Sequence, residues 1–325
     1  MQADVRVTED VRATVFAPSP VVTVTIEAVG DDDATEVHFH AGGQGIWVAR
    51  MMHQLGATVT LCTVLGGETG TVLQALIERE GLELRHVPSE SWNGAYVHDR
   101  RTGELEVITE TSAAPLSRHD LDALYSATLA AAIDDGTCVL TGTSHEVVPA
   151  DTYRRLAHDL GHNGVEVVAD LSGPPLAAAL EGGVGLVKLS HEEVIDDGFS
   201  SDPGSDALVD AIGKLRAAGA HDVVISRSGE PALACLDGRL LEAETPELEV
   251  VEPRGAGDAM TATLAVGRAR RQPPDQMLRL AVAAGSLNTT RHGLATGDRK
   301  DVERLASDVK VRPFETAAYP NGACP

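Results

Sequence analysis

Lysine is nearly missing from this chain. Four of the 26 basic residues are lysine, so arginine carries almost all the positive charge, and 49 acidic residues bring the formal net charge to −23. That balance excludes DNA, RNA and anionic membrane surfaces as generic partners, since each is a polyanion that selects basic surfaces. A small phosphorylated ligand is still allowed, because a few local donors suffice to hold it. Long apolar runs are missing too. Nothing approaches the roughly 20 residues of a membrane-spanning helix, and Met1 to Arg12 lacks the apolar region of a secretory signal. A cytoplasmic protein is expected. The four cysteines form no C-x-x-C pair and show no metal-like spacing with histidine. Cys62, Cys138 and Cys235 lie in apolar strand-like runs and read as small buried hydrophobes, with Cys324 in a tail.

A chain of 325 residues suffices for one large domain with an appendage, or for two domains. After Pro115, helix-like stretches at 117–133, 149–160, 174–180 and 207–218 alternate with strand-like ones at 137–141, 165–170, 185–189 and 222–226. A hairpin follows at Asp237-Gly238. Such alternation predicts a mostly parallel sheet covered by helices on both faces. Earlier, strands at 14–17 and 58–65 and helices at 45–55 and 68–80 fit the same layers. Segments near 21–40 and 84–110 read instead as a small separate sheet, with Asp31-Asp32-Asp33 a solvated turn. Helices at 276–288 and 298–306 close a single domain of 14–312, leaving 1–13 and 313–325 as flexible tails.

The chemistry concentrates in Val250 to Thr261. A strand-like end passes through Gly255-Ala256-Gly257 into a helical run from Asp258 to Arg270. Small residues let backbone approach a ligand closely, and the amides of a helix N-terminus attract an anion such as phosphate. Asp258, in the first helical turn, is expected to be ionised near neutral pH and placed to accept a proton from an attacking hydroxyl. An ordinary loop with an acidic helix start has the same local pattern.

A second stretch, Gly42-Gly43-Gln44-Gly45-Ile46-Trp47-Val48-Ala49, changes the balance. Together with Glu252-Pro253-Arg254-Gly255-Ala256-Gly257-Asp258-Ala259, it resembles the paired signatures G-G-K-G-x-N-x-A and D/S-T-x-G-A-G-D-[AS] of the ribokinase-like (PfkB) carbohydrate kinases. The nearer resemblance is to the branch containing 1-phosphofructokinase and tagatose-6-phosphate kinase. The resemblance covers about residues 14 to 305. It implies a three-layer α/β/α doubly wound sheet with a small β-sheet lid, ATP and Mg2+ as cofactors, a small-molecule carbohydrate as partner, and a homodimer through the lid. It makes Asp258 the catalytic base and the Gly255–Asp258 backbone the anion hole.

Carried over residue by residue, the resemblance places Lys188, Ser190 and Glu193 at the nucleotide, with Glu193 near Mg2+ through water and Ser190 replacing the usual asparagine. Ser226, Ser228 and Gly229 fall in the nucleotide-phosphate loop, and Ala283 to Asn288 on the helix lining the adenine pocket. The acceptor side departs further. Gln44 replaces the lysine and Trp92 the arginine that hold an existing substrate phosphate in this branch. Trp47 stands for an asparagine, and Thr23 for an aspartate that grips sugar hydroxyls. With Gly42, Gly43 and Asn93, these residues form the expected substrate site, in which glutamine and indoles suit a neutral ring better than a phosphate. Arg50, Arg85, Arg100 and Arg101 are available for a rebuilt clamp. A sugar kinase is the reading carried forward. A non-catalytic nucleotide- or sugar-binding regulator and a nucleoside kinase on the same fold stay open.

Overall fold

The computed structural model describes residues 11–29, 34–143, 147–291, 297–316 and 318–325. The expected turn at Asp31–Asp33 and residues 1–10 lie outside them. The first half comprises β1 (Arg12–Ala17), β2 (Val21–Ala28), β3 (Thr35–Gly42), α1 (Gln44–Gln54), β4 (Thr58–Gly66), α2 (Gly67–Glu78), β5 (Glu83–Ser89), β6 (Gly94–Asp99) and β7 (Glu106–Thr111). Next come α3 (Arg118–Asp135), β8 (Thr137–Thr141), α4 (Ala150–His162), β9 (Glu166–Asp170), α5 (Gly173–Gly182), β10 (Val184–Ser190), α6 (His191–Asp196) and α7 (Ser205–Ala218). The chain finishes with β11 (Ala220–Arg227), β12 (Glu230–Leu236), β13 (Arg239–Ala243), α8 (Ala256–Ala269), α9 (Pro274–Thr289), α10 (Arg299–Ala306) and β14 (Val311–Pro313).

Ten strands form one sheet in the order β14-β13-β12-β11-β10-β9-β8-β1-β4-β5. It is parallel from β5 to β11 and antiparallel from β11 to β14. Central strands are buried along most of their length, and in β8 all five residues are inside. A sheet covered on both faces needs such apolar runs. Two apolar clusters, one against each face, confirm the layering. Local signals end the helices where expected. Ser117 Oγ accepts from Asp120 N at the start of α3, and left-handed Gly136 (φ 78°) stops it.

Strands β3-β2-β6-β7 form a separate sheet, with β2 parallel to β6 and the outer pairs antiparallel. Strand β5, expected near this small sheet, instead pairs with β4 at the edge of the large one.

Two expectations about the C-terminus fail. Cys235, in β12, is disulfide-bonded to Cys324, 89 residues away. The described part of 313–325 is packed: Val311–Pro313 adds an edge strand to β13, Phe314 N donates to Leu240 O at 2.9 Å, and Cys324 N donates to Gly238 O at 3.1 Å. A three-residue strand and a distant cysteine leave no periodic signal.

Candidate active site

Gly255 caps α8 with φ 76°, a left-handed conformation that a side chain would strain. The loop leading to it is clamped from α9. Val251 N and Glu252 N both donate to Thr289 O, at 2.8 and 3.0 Å, and Asn288 Nδ2 donates to Arg254 O at 2.8 Å. Glu252 completes the clamp. Its carboxylate is only 7% exposed and accepts from Arg254 Nε and Nη2, both at 2.9 Å, and from Arg100 Nη2 at 2.6 Å. The Arg254 guanidinium, with help from Arg100, outweighs burial and holds the Glu252 carboxyl down at about 2. The first amides of α8 therefore leave a braced frame, and a helix cannot satisfy these N–H groups itself.

Asp258 lies just inside that first turn and is buried. It is not the ionised carboxylate expected from sequence. Burial, then the charge of Asp170, pushes its pKa up to about 8, and Lys188 offsets this only in part. A helix N-terminus favours an exposed carboxylate by about 0.3–1 kcal/mol, less than the cost of removing a charge from water. Lys188, at the end of β10, is also buried. Burial pulls its ammonium down, yet Asp170, Glu193 and Asp258 together leave its pKa raised. A Cβ on Gly257 would sit 2.4 Å from Lys188 Nζ, so glycine is what admits the ammonium to the helix start. Asp170, at the end of β9, accepts from Thr261 Oγ1 at 2.5 Å. Local sequence carries no sign of this pairing, because Thr261 is 91 positions from Asp170.

Beside this cluster opens a cleft of about 810 Å³. Lys188, Ser190, Ser226, Ser228, Gly229, Ala256 and Gly257, all singled out in the sequence, line it. Ser228 has φ 53°, an uncommon conformation for a non-glycine residue. Other residues singled out from the sequence sit behind the wall. Ala283 is fully buried, Asn288 holds the Arg254 carbonyl, and the cleft side of α9 is Val282, Gly285, Ser286 and Thr289. Those four recur at helical spacing, which is the signal that separates the lining face from its neighbours. Leu248 and Val250, just before and at the start of the stretch singled out in the sequence, are also in the wall. Glu193 forms a capping box at α6: its Oε2 accepts from Ser190 N at 2.7 Å, and Glu193 N donates to Ser190 Oγ at 3.2 Å.

The expected acceptor residues divide. Gln44 Oε1 accepts from Gly142 N at 2.7 Å, Gly43 caps α1 with φ 100°, and a Cβ on Gly42 would meet Thr23 Oγ1 at 2.6 Å. These four residues come together where β3 enters α1. Trp47 packs half-buried against the core. Trp92 is 59% exposed and donates to Ser112 O at 3.3 Å. Asn93 is buried with both amide ends engaged: Gly66 N donates to Oδ1 at 3.0 Å, and Nδ2 donates to Val64 O at 2.9 Å. Among the described residues, no group of three or more His, Cys, Asp or Glu side chains is arranged to hold a metal.

A mostly parallel sheet, a small second sheet and a glycine-rich helix start beside a deep cleft define a class. Residues 20–301 match the model of the pfkB family carbohydrate kinases. The chain belongs to that family, whose members are phosphotransferases acting on a sugar hydroxyl. It is 26% identical to a 1-phosphofructokinase of Bacillus subtilis, over 84% of this chain and 88% of the relative. It is 29% identical to the ATP-dependent 6-phosphofructokinase isozyme 2 of Mycobacterium tuberculosis, over 87% and 81% of the two chains. Among solved structures, Escherichia coli phosphofructokinase-2 in complex with potassium superposes with a TM-score of 0.79, at 24% identity, covering 92% of this chain and 98% of that one. Arabidopsis thaliana ribokinase complexed with ribose and ATP gives 0.71 at 20% identity, covering 91% and 98%. At these identities the structures establish a shared ribokinase-like fold.

Proposed function

We propose that this kinase transfers the γ-phosphoryl of MgATP to a hydroxyl of a sugar or sugar phosphate, with Asp258 as general base. The observation that carries the reading is the placement of a buried carboxylate in the first turn of α8, immediately after Ala256 and Gly257, which line the 810 Å³ cleft together with Lys188. The acceptor O–H gives its proton to Asp258 as its oxygen bonds to the γ-phosphorus and the bond to ADP breaks. The amides from Gly255 to Asp258 and the Lys188 ammonium stabilise the charge developing on the phosphoryl oxygens. The base form of Asp258 is favoured as pH rises through about 8.

The oxygen donors present suit a hard cation such as Mg2+. Glu193 uses one carboxylate oxygen for Ser190 N, and its other oxygen is the group to hold the ion, directly or through water. An Mg2+ ion held by Glu193 would supply charge to offset that of the phosphates.

For the acceptor, a neutral polyol, sugar or nucleoside fits the described residues better than a phosphohexose. Gln44 and Trp92 replace two cationic anchors, and three of the four candidate substitutes are already paired. Arg50 binds Glu80 at 2.6 Å, Arg100 binds Glu252 at 2.6 Å and Arg101 binds Asp99 at 2.5 Å. The phosphofructokinase names of the relatives favour the other outcome. ATP turnover across a panel of sugars, sugar phosphates and nucleosides decides between them: reaction confined to the fructose and tagatose phosphates sinks the neutral-acceptor reading. Turnover with no acceptor in the panel, beside intact MgATP binding, favours a regulator.

The exposed apolar side chains Val37 and Phe39, 52% and 53% accessible on one face of β3, support a homodimer through the small sheet. Sedimentation of the wild type beside Phe39→Lys tests it.

A further inference from the structure

Helices α8 and α9 each run between two clefts. Gly257 of α8 and Ser286 of α9 line the large one, whereas Val266 and Arg279 of the same helices line a second cleft of about 330 Å³. A helix the length of α8 places its two ends about 20 Å apart. The second cleft therefore lies at the amino ends of the strands, far from Asp258.

Its charge is unlike that of the rest of the molecule. Among the described residues lining it, Arg270, Arg279 and Arg299 face a single carboxylate, Glu303. Two net positive charges are thus concentrated in a chain whose formal charge is −23. Part of each guanidinium is already used. Arg270 Nη2 donates to Leu55 O at 2.8 Å, Arg279 Nη1 donates to Val309 O, and Arg299 Nε donates to Glu303 Oε1 at 2.7 Å. Each guanidinium has five N–H donors, so capping the carbonyls does not exhaust them.

Capping also does not explain why Arg299 stands beside Arg270. The point that a Cβ on Gly56 would occupy is 3.7 Å from Arg270 Nη2 and 3.6 Å from Arg299 Nη1. Both guanidinium ends thus border the same point in space beside Gly56. Burial and the neighbouring Arg299 both pull the Arg270 pKa below its ordinary value. Like charges brought together where one of them is partly buried are unfavourable, and an anion between them reverses the sign. Gln272, Gln276 and Ser307 add neutral polar groups to the same wall.

We propose that this cleft binds a small, multiply charged oxyanion of the phosphate type, gripped by Arg270 and Arg299 across Gly56. Arginine matches such anions with paired N–H donors, and the volume lies at the small end of ligand sites, roughly 300–1,000 Å³. This binding claim does not depend on the kinase reading of the other cleft. Because both clefts share α8 and α9, occupancy of the second one is positioned to alter the first.

The test is isothermal titration of the full chain with pyrophosphate at constant ionic strength, with Lys188→Met separating any binding in the large cleft. One binding event is expected to survive Lys188→Met, weaken at least tenfold in Arg270→Gln and Arg299→Gln, and tighten severalfold in Glu303→Gln. Loss of all binding in Lys188→Met, no binding to wild type at millimolar pyrophosphate, or equal affinity in Arg299→Gln and Glu303→Gln overturns the proposal. Arg270→Gln also removes a cap from α1; if it does not fold, the two exposed positions, 299 and 303, carry the decision. A parallel titration with citrate that binds where pyrophosphate does not overturns the phosphate assignment.

Discussion

Arg100 Nη2 donates to Glu252 Oε2 at 2.6 Å across 152 positions of sequence. Arg100 follows β6 in the small sheet, and its own N–H donates to Ile26 O at 2.8 Å. Glu252 belongs to the loop that starts α8. One carboxylate thus ties the small sheet to the loop that starts α8, and it does so while also holding Arg254.

Breaking this link has two readable effects. Glu252→Gln is expected to destabilise the fold by about 2–4 kcal/mol in urea unfolding, since it leaves two part-buried guanidiniums short of a partner. It is also expected to raise the acceptor KM more than the ATP KM, because the small sheet loses its tie to α8. Its contribution to stability is present above the ordinary carboxyl value of 4.5 and is lost as pH falls toward about 2. Wild type and variant should therefore converge in acid, and a constant difference across that window excludes the assignment.

Asp258 carries the opposite sign. With a folded pKa of about 8 against 3.8, the protonated form is favoured by folding, so stability falls as pH rises between those values. Asp258→Asn should have a higher Tm than wild type above pH 8 and match it near pH 3. The same variant should lose about 10²- to 10⁴-fold in kcat while still binding MgATP. In wild type, kcat/KM should climb with pH through about 8.

Gly257→Ala tests the contact with Lys188. The new Cβ would lie 2.4 Å from Nζ, which forces the ammonium away from the helix start. Activity is expected to fall at least tenfold, with a stability cost of roughly 1–3 kcal/mol for overpacking. Unchanged kinetics would show that Lys188 has no part in the reaction.

The Cys235–Cys324 bond closes a long loop, for which chain-entropy estimates run to about 4 kcal/mol. Cys324→Ser should be less stable than wild type under oxidising conditions and indistinguishable from it in reductant. Thiol titration of the unfolded, unreduced protein should find two free cysteines, Cys62 and Cys138.

Much of the fold is legible before any tertiary contact is known. The alternation of buried strands with helices from Thr137 to Arg227 follows local periodicity, and the left-handed cap at Gly255 follows from backbone sterics that only glycine meets freely. The lining of α9 is a nearer miss. The stretch Ala283 to Asn288 contains two of the lining residues, Gly285 and Ser286, but its ends face away from the cleft, and Val282 and Thr289 complete the wall from just outside it. A helix presents one face to a cleft, and which face is set by packing against α8.

By itself, then, the sequence determined the order of the elements, the pairing of two glycine-rich stretches and the family to which they belong. These depend on residues close together in the chain, where propensity and periodicity act. Tertiary structure alone decided that burial and Asp170 push the Asp258 pKa up to about 8, that the Asn93 amide braces Gly66 and Val64, and that Cys235 meets Cys324. It also decided that Arg270 and Arg299 both reach the space beside Gly56. Desolvation and charge pairing depend on which groups displace water around a side chain, and those groups come from dozens to hundreds of positions away.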